Sequence, residues 1–261
     1  MGQGDVRPLG LVLLLAAALA PAQDDLADPA SWLARGDALR REARERSGRE
    51  RLELRARAVG VYRGLRERFP EARSSAAQAA FRAGELLRSD GDAAGARGEF
   101  TAARALASDP QLAARAGLEL GHLARRAGLH VEALAHYQQV SSDTAAPTAE
   151  RDLARLWVGR SQIALERLLE ARASLAVLAR GARDPCLRVA AHDERALAWI
   201  AAGDLEAAAG ELDLCRRALR ARAAEETPQG ARVRSALRRM RAVARLARAV
   251  AERDSGLVVE R

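Results

Sequence analysis

The chain has 261 residues, 43 basic against 35 acidic side chains for a net charge of +8, and 49% hydrophobic residues of which very few are aromatic, 3% of the chain. So few rings exclude a core of large aromatics or β-branched ladders, and the apolar content must pack as Ala/Leu helices, so the expected class is all-α. Every basic residue is Arg, and Lys and Asn are both absent, the usage a GC-rich genome leaves. The charge is therefore read as a solvated helix surface with i, i+4 pairs such as Glu42 with Arg46, and nucleic acid is not an expected partner.

Arg7 precedes an apolar run from Leu9 to Ala20, and Ala20-Pro21-Ala22 then supplies the small residues of a cleavage site, so residues 1–22 read as a secretory signal peptide. Twelve helical residues rise only about 18 Å, against a bilayer core of roughly 30 Å, and an uncleaved anchor is the weaker reading. No Cys lies near this boundary, which excludes a lipid anchor there. The mature chain is expected to begin at Gln23 and to be periplasmic or secreted, with residues 23–29 as a linker.

Pro29, Pro70, Pro110, Pro147, Pro185 and Pro228 follow at separations of 41, 40, 37, 38 and 43 residues and divide the remainder into five helical hairpins and a tail helix. Asp28, Asp109, Asp184 and Thr227 each precede one of these prolines, a side-chain oxygen for the free N–H groups and a proline where no donor is needed. The predicted units are about 30–70, 71–109, 110–146, 147–184 and 185–226. In the first, a helix through Trp32 and Leu39 runs to about Arg46, breaks at Ser47-Gly48, and gives way to a second through Ala58, Tyr62 and Leu65.

From the second unit onward one pattern recurs. Gly84, Gly91, Ala96, Phe100 and Ala103 reappear as Gly121, Gly128, Ala133, Tyr137 and Val140, with offsets of 7, 12, 16 and 19 from the first position. A small residue for a close helix crossing, a helix-breaking Gly, and one face of a second helix make a paired-helix repeat. The fourth unit aligns as Gly159, Glu166, Ala171, Leu175 and Leu178, and the fifth as Ala196, Gly203, Ala208, Leu212 and Cys215. Glu166 replaces the turn Gly, so Ser161 to Leu178 reads either as two helices or as one unbroken helix.

This spacing resembles the tetratricopeptide repeat (TPR) family from roughly Trp32 to Ala224, with Arg155 and His192 where the family favours a large aromatic. The resemblance implies a right-handed α-solenoid of about five repeats (residues 30–226) whose first helices line a concave groove. The wording Val61-Tyr62-Arg63-Gly64-Leu65 through Phe69-Pro70 is similar to exported bacterial envelope proteins, among them the coordinator of the Tol-Pal system. By the family's geometry the groove would present Phe81, Glu85 and Arg88, then Leu118, His122 and Arg125, then Leu156 and Arg160. The apolar members would bury an aliphatic side chain, while the arginines pair with a carboxylate or carbonyl of a bound peptide.

A tail helix is expected over 227–254, with residues 255–261 beyond it. Val233, Ala236, Leu237, Met240, Val243, Ala244, Ala247 and Val250 share one side, and Arg234, Arg238, Arg241, Arg245 and Arg248 the other. Two readings follow: a cap over the last hairpin, or a basic amphipathic helix on an anionic membrane surface. No spacing of His122, His130, His136 and His192 makes a metal site, and no nucleophile elbow, HExxH or phosphate-binding Gly loop is present. Enzymatic activity, metals and cofactors are not expected. Cys186 and Cys215 lie 17 residues before and 12 after the turn at Gly203, a mismatch that places them too far apart to bridge.

Overall fold

A computed structural model of the chain describes residues 28–254, so the predicted signal peptide, the linker up to residue 27 and the tail 255–261 lie outside the described residues. The helices are α1 (Pro29–Glu45), α2 (Gly48–Arg68), α3 (Arg73–Ser89), α4 (Ala93–Leu106), α5 (Pro110–Arg126), α6 (His130–Ser142), α7 (Thr148–Ala164), α8 (Leu168–Gly181), α9 (Pro185–Ala201), α10 (Leu205–Ala224), α11 (Pro228–Arg238) and α12 (Arg241–Asp254). No strand occurs among the described residues. Each odd-numbered helix through α9 packs on the even-numbered helix that follows it, and that helix packs on the start of the next pair. The first helices also touch one another along the inner side, α1 with α3, α3 with α5, α5 with α7 and α7 with α9. Five hairpins stacked in this way form a right-handed α-solenoid in which each repeat meets only its neighbours.

The local chemistry of the junctions sets where helices start. Asp28 accepts from the Ser31 N–H, Asp109 from Gln111, Asp184 from Cys186 and Thr227 from Gly230, each with a proline in the first helical turn. Arg46 pairs with Glu50 at 3.0 Å rather than with Glu42. The register residues are the core: Ala96, Phe100, Ala103, Ala133, Tyr137, Ala171, Leu175, Ala208 and Cys215 have essentially no exposed surface. Gly84, Gly121 and Gly159 sit where an added Cβ would strike Phe100, Tyr137 and Leu175. Gly36 meets Tyr62 in the same way, so the first repeat does carry the small position. Its spacing to the aromatic is 26 residues instead of 16, which hides it from a fixed-offset search.

The turn of the fourth repeat is present. Gly91, Gly128 and Gly203 adopt left-handed φ values of 86°, 75° and 79°, and Glu166 adopts 58° at the equivalent place. Arg167 donates to the Gln162 carbonyl at 2.9 Å and Glu166 to Ile163 at 3.0 Å, the same bonds made by Asp92 to Leu87 and Gly91 to Arg88. These are the two bonds of a Schellman cap. A side chain in the left-handed region costs about 1–2 kcal/mol. The E166G variant should therefore be more stable by about 1 kcal/mol, raising the melting temperature by about 2–4 °C in a scanning calorimeter.

The predicted tail helix is corrected. It breaks at Arg239 and Met240, and α11 and α12 each lie on α9 and α10. The bend lets Met240 and Ala242 enter the last core cluster beside Val233, Leu212 and Leu219. The apolar side is corrected with it: α12 turns Ala242 and Leu246 inward, whereas Val243, Ala244 and Ala247 remain exposed. Cys186 and Cys215 are both unbonded thiols, the second fully buried.

Candidate functional site

The inner side of the solenoid is built by contacts between successive first helices. Counting from the small residue of each repeat, the side chain one place after it meets the side chain two places before the next small residue. Asp37 thus receives Arg82 at 2.5 Å, His122 meets the Trp157 ring at 4.8 Å, and Arg160 donates to Glu194 at 2.7 Å. Between the second and third repeats this rule brings two carboxylates together, Glu85 and Glu119. Arg40 pairs with Glu85 at 3.1 Å and Arg88 with Glu119 at 3.3 Å, which relieves the repulsion. Burial still holds the Glu119 carboxyl above its ordinary range, Arg88 opposing the shift and Glu85 adding to it.

These contacts redistribute the predicted groove residues. Phe81, Leu118 and Leu156 are corrected from groove surface to core: they are 5%, 5% and 3% exposed. Phe81 packs edge-on against Phe100 at 5.5 Å, Leu118 belongs to the cluster around Tyr137, and Leu156 to that around Leu175. The position three before the small residue packs between neighbouring repeats, although Phe81 also borders a hollow of the inner side. Glu85, Arg88 and Arg160 are tied to carboxylates or guanidinium groups of this chain and are not waiting for those of a partner. Arg125 makes no ion pair among the described residues and lies over Trp157, 4.9 Å from the ring centroid, with Arg160 also on that ring at 4.6 Å.

His122 is held in place by two rings. Its Nδ1 lies 2.7 Å from the Tyr137 hydroxyl, and Tyr137 stacks on Trp157 at 5.8 Å. Burial, followed by the charges of Arg125, Arg126, Arg88 and Arg160, lowers the imidazole to about 4. The ring is therefore neutral at pH 7, and its Nδ1 and the Tyr137 hydroxyl share one hydrogen bond. Because the folded value lies below the ordinary 6.5, an unfolding chain takes up the proton first as pH falls. The stability linked to His122 is complete above about pH 6.5 and is lost between there and pH 4. Urea denaturation of H122Q at pH 7, 5.5 and 4 should show a shallower acid-side loss than the native chain.

Two hollows open on the inner side. One, of about 330 Å³, lies between α1, α3 and α5 and includes Arg40, Gln78, Phe81, Arg82, Glu85 and Arg115, with Arg115 over the Phe81 ring at 4.6 Å. The other, of about 610 Å³, is bounded by Arg125, Trp157, Arg160, Ile163, Glu194 and Leu197 from α5, α7 and α9, and by Arg241 and Arg245 from α12. The second unites Arg125 and Arg160 of the predicted set; Trp157, Glu194 and the two arginines of α12 were not in it. Trp157 lay in plain view beside Leu156, but a helical wheel cannot say which of two adjacent positions meets the groove.

The α12 wall is held by α9. The Asp193 carboxylate accepts the Ala242 N–H at 2.8 Å, acting as the N-cap of α12 from another helix. Arg241 pairs with Glu194, the same carboxylate that Arg160 binds. Arg234 is engaged as well, donating to the carbonyls of Ala223 and Glu225 at the end of α10. Of the predicted basic stripe, Arg234 and Arg241 are thus structural, while Arg238, Arg245 and Arg248 are exposed with no ion pair among the described residues.

Solved structures with this arrangement are TPR-like solenoids. A kinesin light chain-type protein of Podosopora anserina with nearly identical TPR-like repeats is similar at a TM-score of 0.56 and 16% identity, covering 77% of this chain and 100% of that one. BtubC (BKLC) of P. vanneervenii is similar at 0.54 and 14%, covering 80% and 95%. The fold is TPR-like. No protein-family model matches the sequence, and no curated protein matches it. At such low identity the likeness of these solenoids carries the architecture alone, and the side chains of the groove are this chain's own. Among the described residues no group of His, Cys, Asp and Glu is arranged to hold a metal, and no helix is long and apolar enough to cross a membrane.

Proposed function

We propose that the chain is a non-enzymatic interaction scaffold of the bacterial cell envelope, holding a peptide or partner segment of another protein in its concave groove. The observation that carries this reading is the hollow between α5, α7, α9 and α12. There a partly exposed Trp157 is flanked by Arg125 and Arg160, and Arg245 faces the same space without an acidic partner. The uncovered part of the indole and the aliphatic stems of the flanking arginines take an apolar side chain, and Arg125 and Arg245 take a carboxylate or a main-chain carbonyl. The likeness to TPR-like solenoids supports the general job and leaves the occupant to the chemistry of these residues.

A photoreactive benzoylphenylalanine placed at Ala164 or Ala201, both exposed on the groove's rim, should crosslink a partner in the native host. The same residue at Val177, exposed on the outer helix α8, should not. Crosslinks from Val177 and none from the rim would sink the groove reading. The envelope location is tested separately by intact mass: native material should begin at Gln23, and retention of Met1 to Ala22 would overturn export.

A further inference from the structure

The chain's positive charge is not spread along the solenoid. Residues 228–261 hold nine arginines against three acidic residues, +6 of the total +8, while the preceding 227 residues are almost balanced. Elsewhere arginines pair across repeats, as Arg63 and Arg66 do with Glu99, and Arg97 does with Glu132. Other arginines of the repeats, Arg57 and Arg220 among them, have no acidic partner among the described residues either, but the C-terminal segment is the one that carries the excess charge. Arg241 is neutralised by Glu194 and Asp193, and Arg232 reaches Asp184 at 3.6 Å. Arg238 and Arg239 at the end of α11, and Arg245 and Arg248 on successive turns of α12, have no acidic partner among the described residues.

The exposed side of α12 is also not purely polar. Val243 is 37% exposed, and Ala244, Ala247 and Ala251 are exposed beside Arg245 and Arg248. A polyelectrolyte such as nucleic acid needs only the charge, whereas an anionic bilayer also receives apolar side chains at its headgroup boundary. We infer that the C-terminal segment, through Arg238, Arg239, Arg245, Arg248 and the exposed Val243, Ala244 and Ala247, docks the solenoid on an anionic membrane surface. Arg245 also borders the Trp157 hollow, whereas Arg238, Arg239, Arg248 and Val243 do not line it, so W157A and an arginine variant separate the two readings.

Cosedimentation of the chain from residue 23 onward with phosphatidylcholine vesicles containing about 30% phosphatidylglycerol tests it. Binding is expected at about 50 mM salt and not to pure phosphatidylcholine, and it should weaken steeply by about 500 mM salt. Each arginine near such a surface contributes about fivefold to partitioning. The variant R238Q/R239Q/R245Q/R248Q should therefore lose at least about 100-fold, with its melting temperature unchanged, while W157A retains vesicle binding. Absence of binding at low salt, or binding unaltered in the quadruple variant, overturns the inference. Equal loss of a 30-base-pair DNA duplex and of vesicles across the variants, with the duplex bound more tightly, would replace a membrane surface with nucleic acid and overturn it also.

Discussion

Replacing Phe81, Leu118 and Leu156 together with Ser should unfold the middle of the solenoid rather than silence its groove. Each side chain is almost wholly buried, in three separate clusters that join the second, third, fourth and fifth repeats. Truncating a buried Leu or Phe costs about 2–5 kcal/mol, and a hydroxyl left without a partner adds to it. Three such losses sum to about 9 kcal/mol or more, against a domain stability of about 5–15 kcal/mol. Circular dichroism should show loss of helix at 25 °C, and each single variant should lower the urea midpoint. A triple variant that melts like the native chain would mean that these residues face solvent after all. Loss of partner binding in any of them is therefore not evidence of contact; W157A, at a partly exposed residue, is the better groove variant.

The double variant D193A/E194A should release α12 while leaving the repeats intact. It removes the cap on the Ala242 N–H and the carboxylate shared by Arg160 and Arg241. A lost N-cap is worth about 1 kcal/mol and each charge-assisted bond about as much again once the solvent around Arg241 is allowed for, so docking should weaken by about 3 kcal/mol. Hydrogen exchange followed by mass spectrometry should show peptides from 241–254 exchanging on the order of 100-fold faster, with α3 to α6 unchanged. Protection that persists in α12 would show that Ala242, Leu246 and Met240 hold the helix by apolar packing alone. Because Arg241 and Arg245 form one wall of the larger hollow, releasing α12 also opens the groove, which makes the variant a test of whether a bound segment needs that wall.

Much of the architecture was legible from the residues because its signals are local. The helix starts follow from Asp or Thr before Pro, and the core follows from offsets that return the same small and large residues to one face. The Glu166 turn was ambiguous for a physical reason. Glu is a good helix former with no local preference for a left-handed φ, and the break is imposed by Ala171, Leu175 and Leu178, which must fold back onto Gly159 and Leu156 to be buried.

What only the tertiary structure decided is the use of each side chain on the inner helices. Trp157 and Leu156 are adjacent and both apolar, and which one meets the groove depends on the rotation of α7 against α5 and α9. Arg160 and Arg125 are chemically identical, and the first is engaged by a carboxylate 34 residues away while the second rests on an indole. The tail read as one amphipathic helix because a helical wheel assumes an unbroken axis; Met240 and Ala242 gain burial, and Ala242 gains a cap from Asp193, only if that axis bends. Periodicity along the chain determines the helices and their stacking, whereas charge pairing and helix rotation depend on neighbours that the local pattern does not contain.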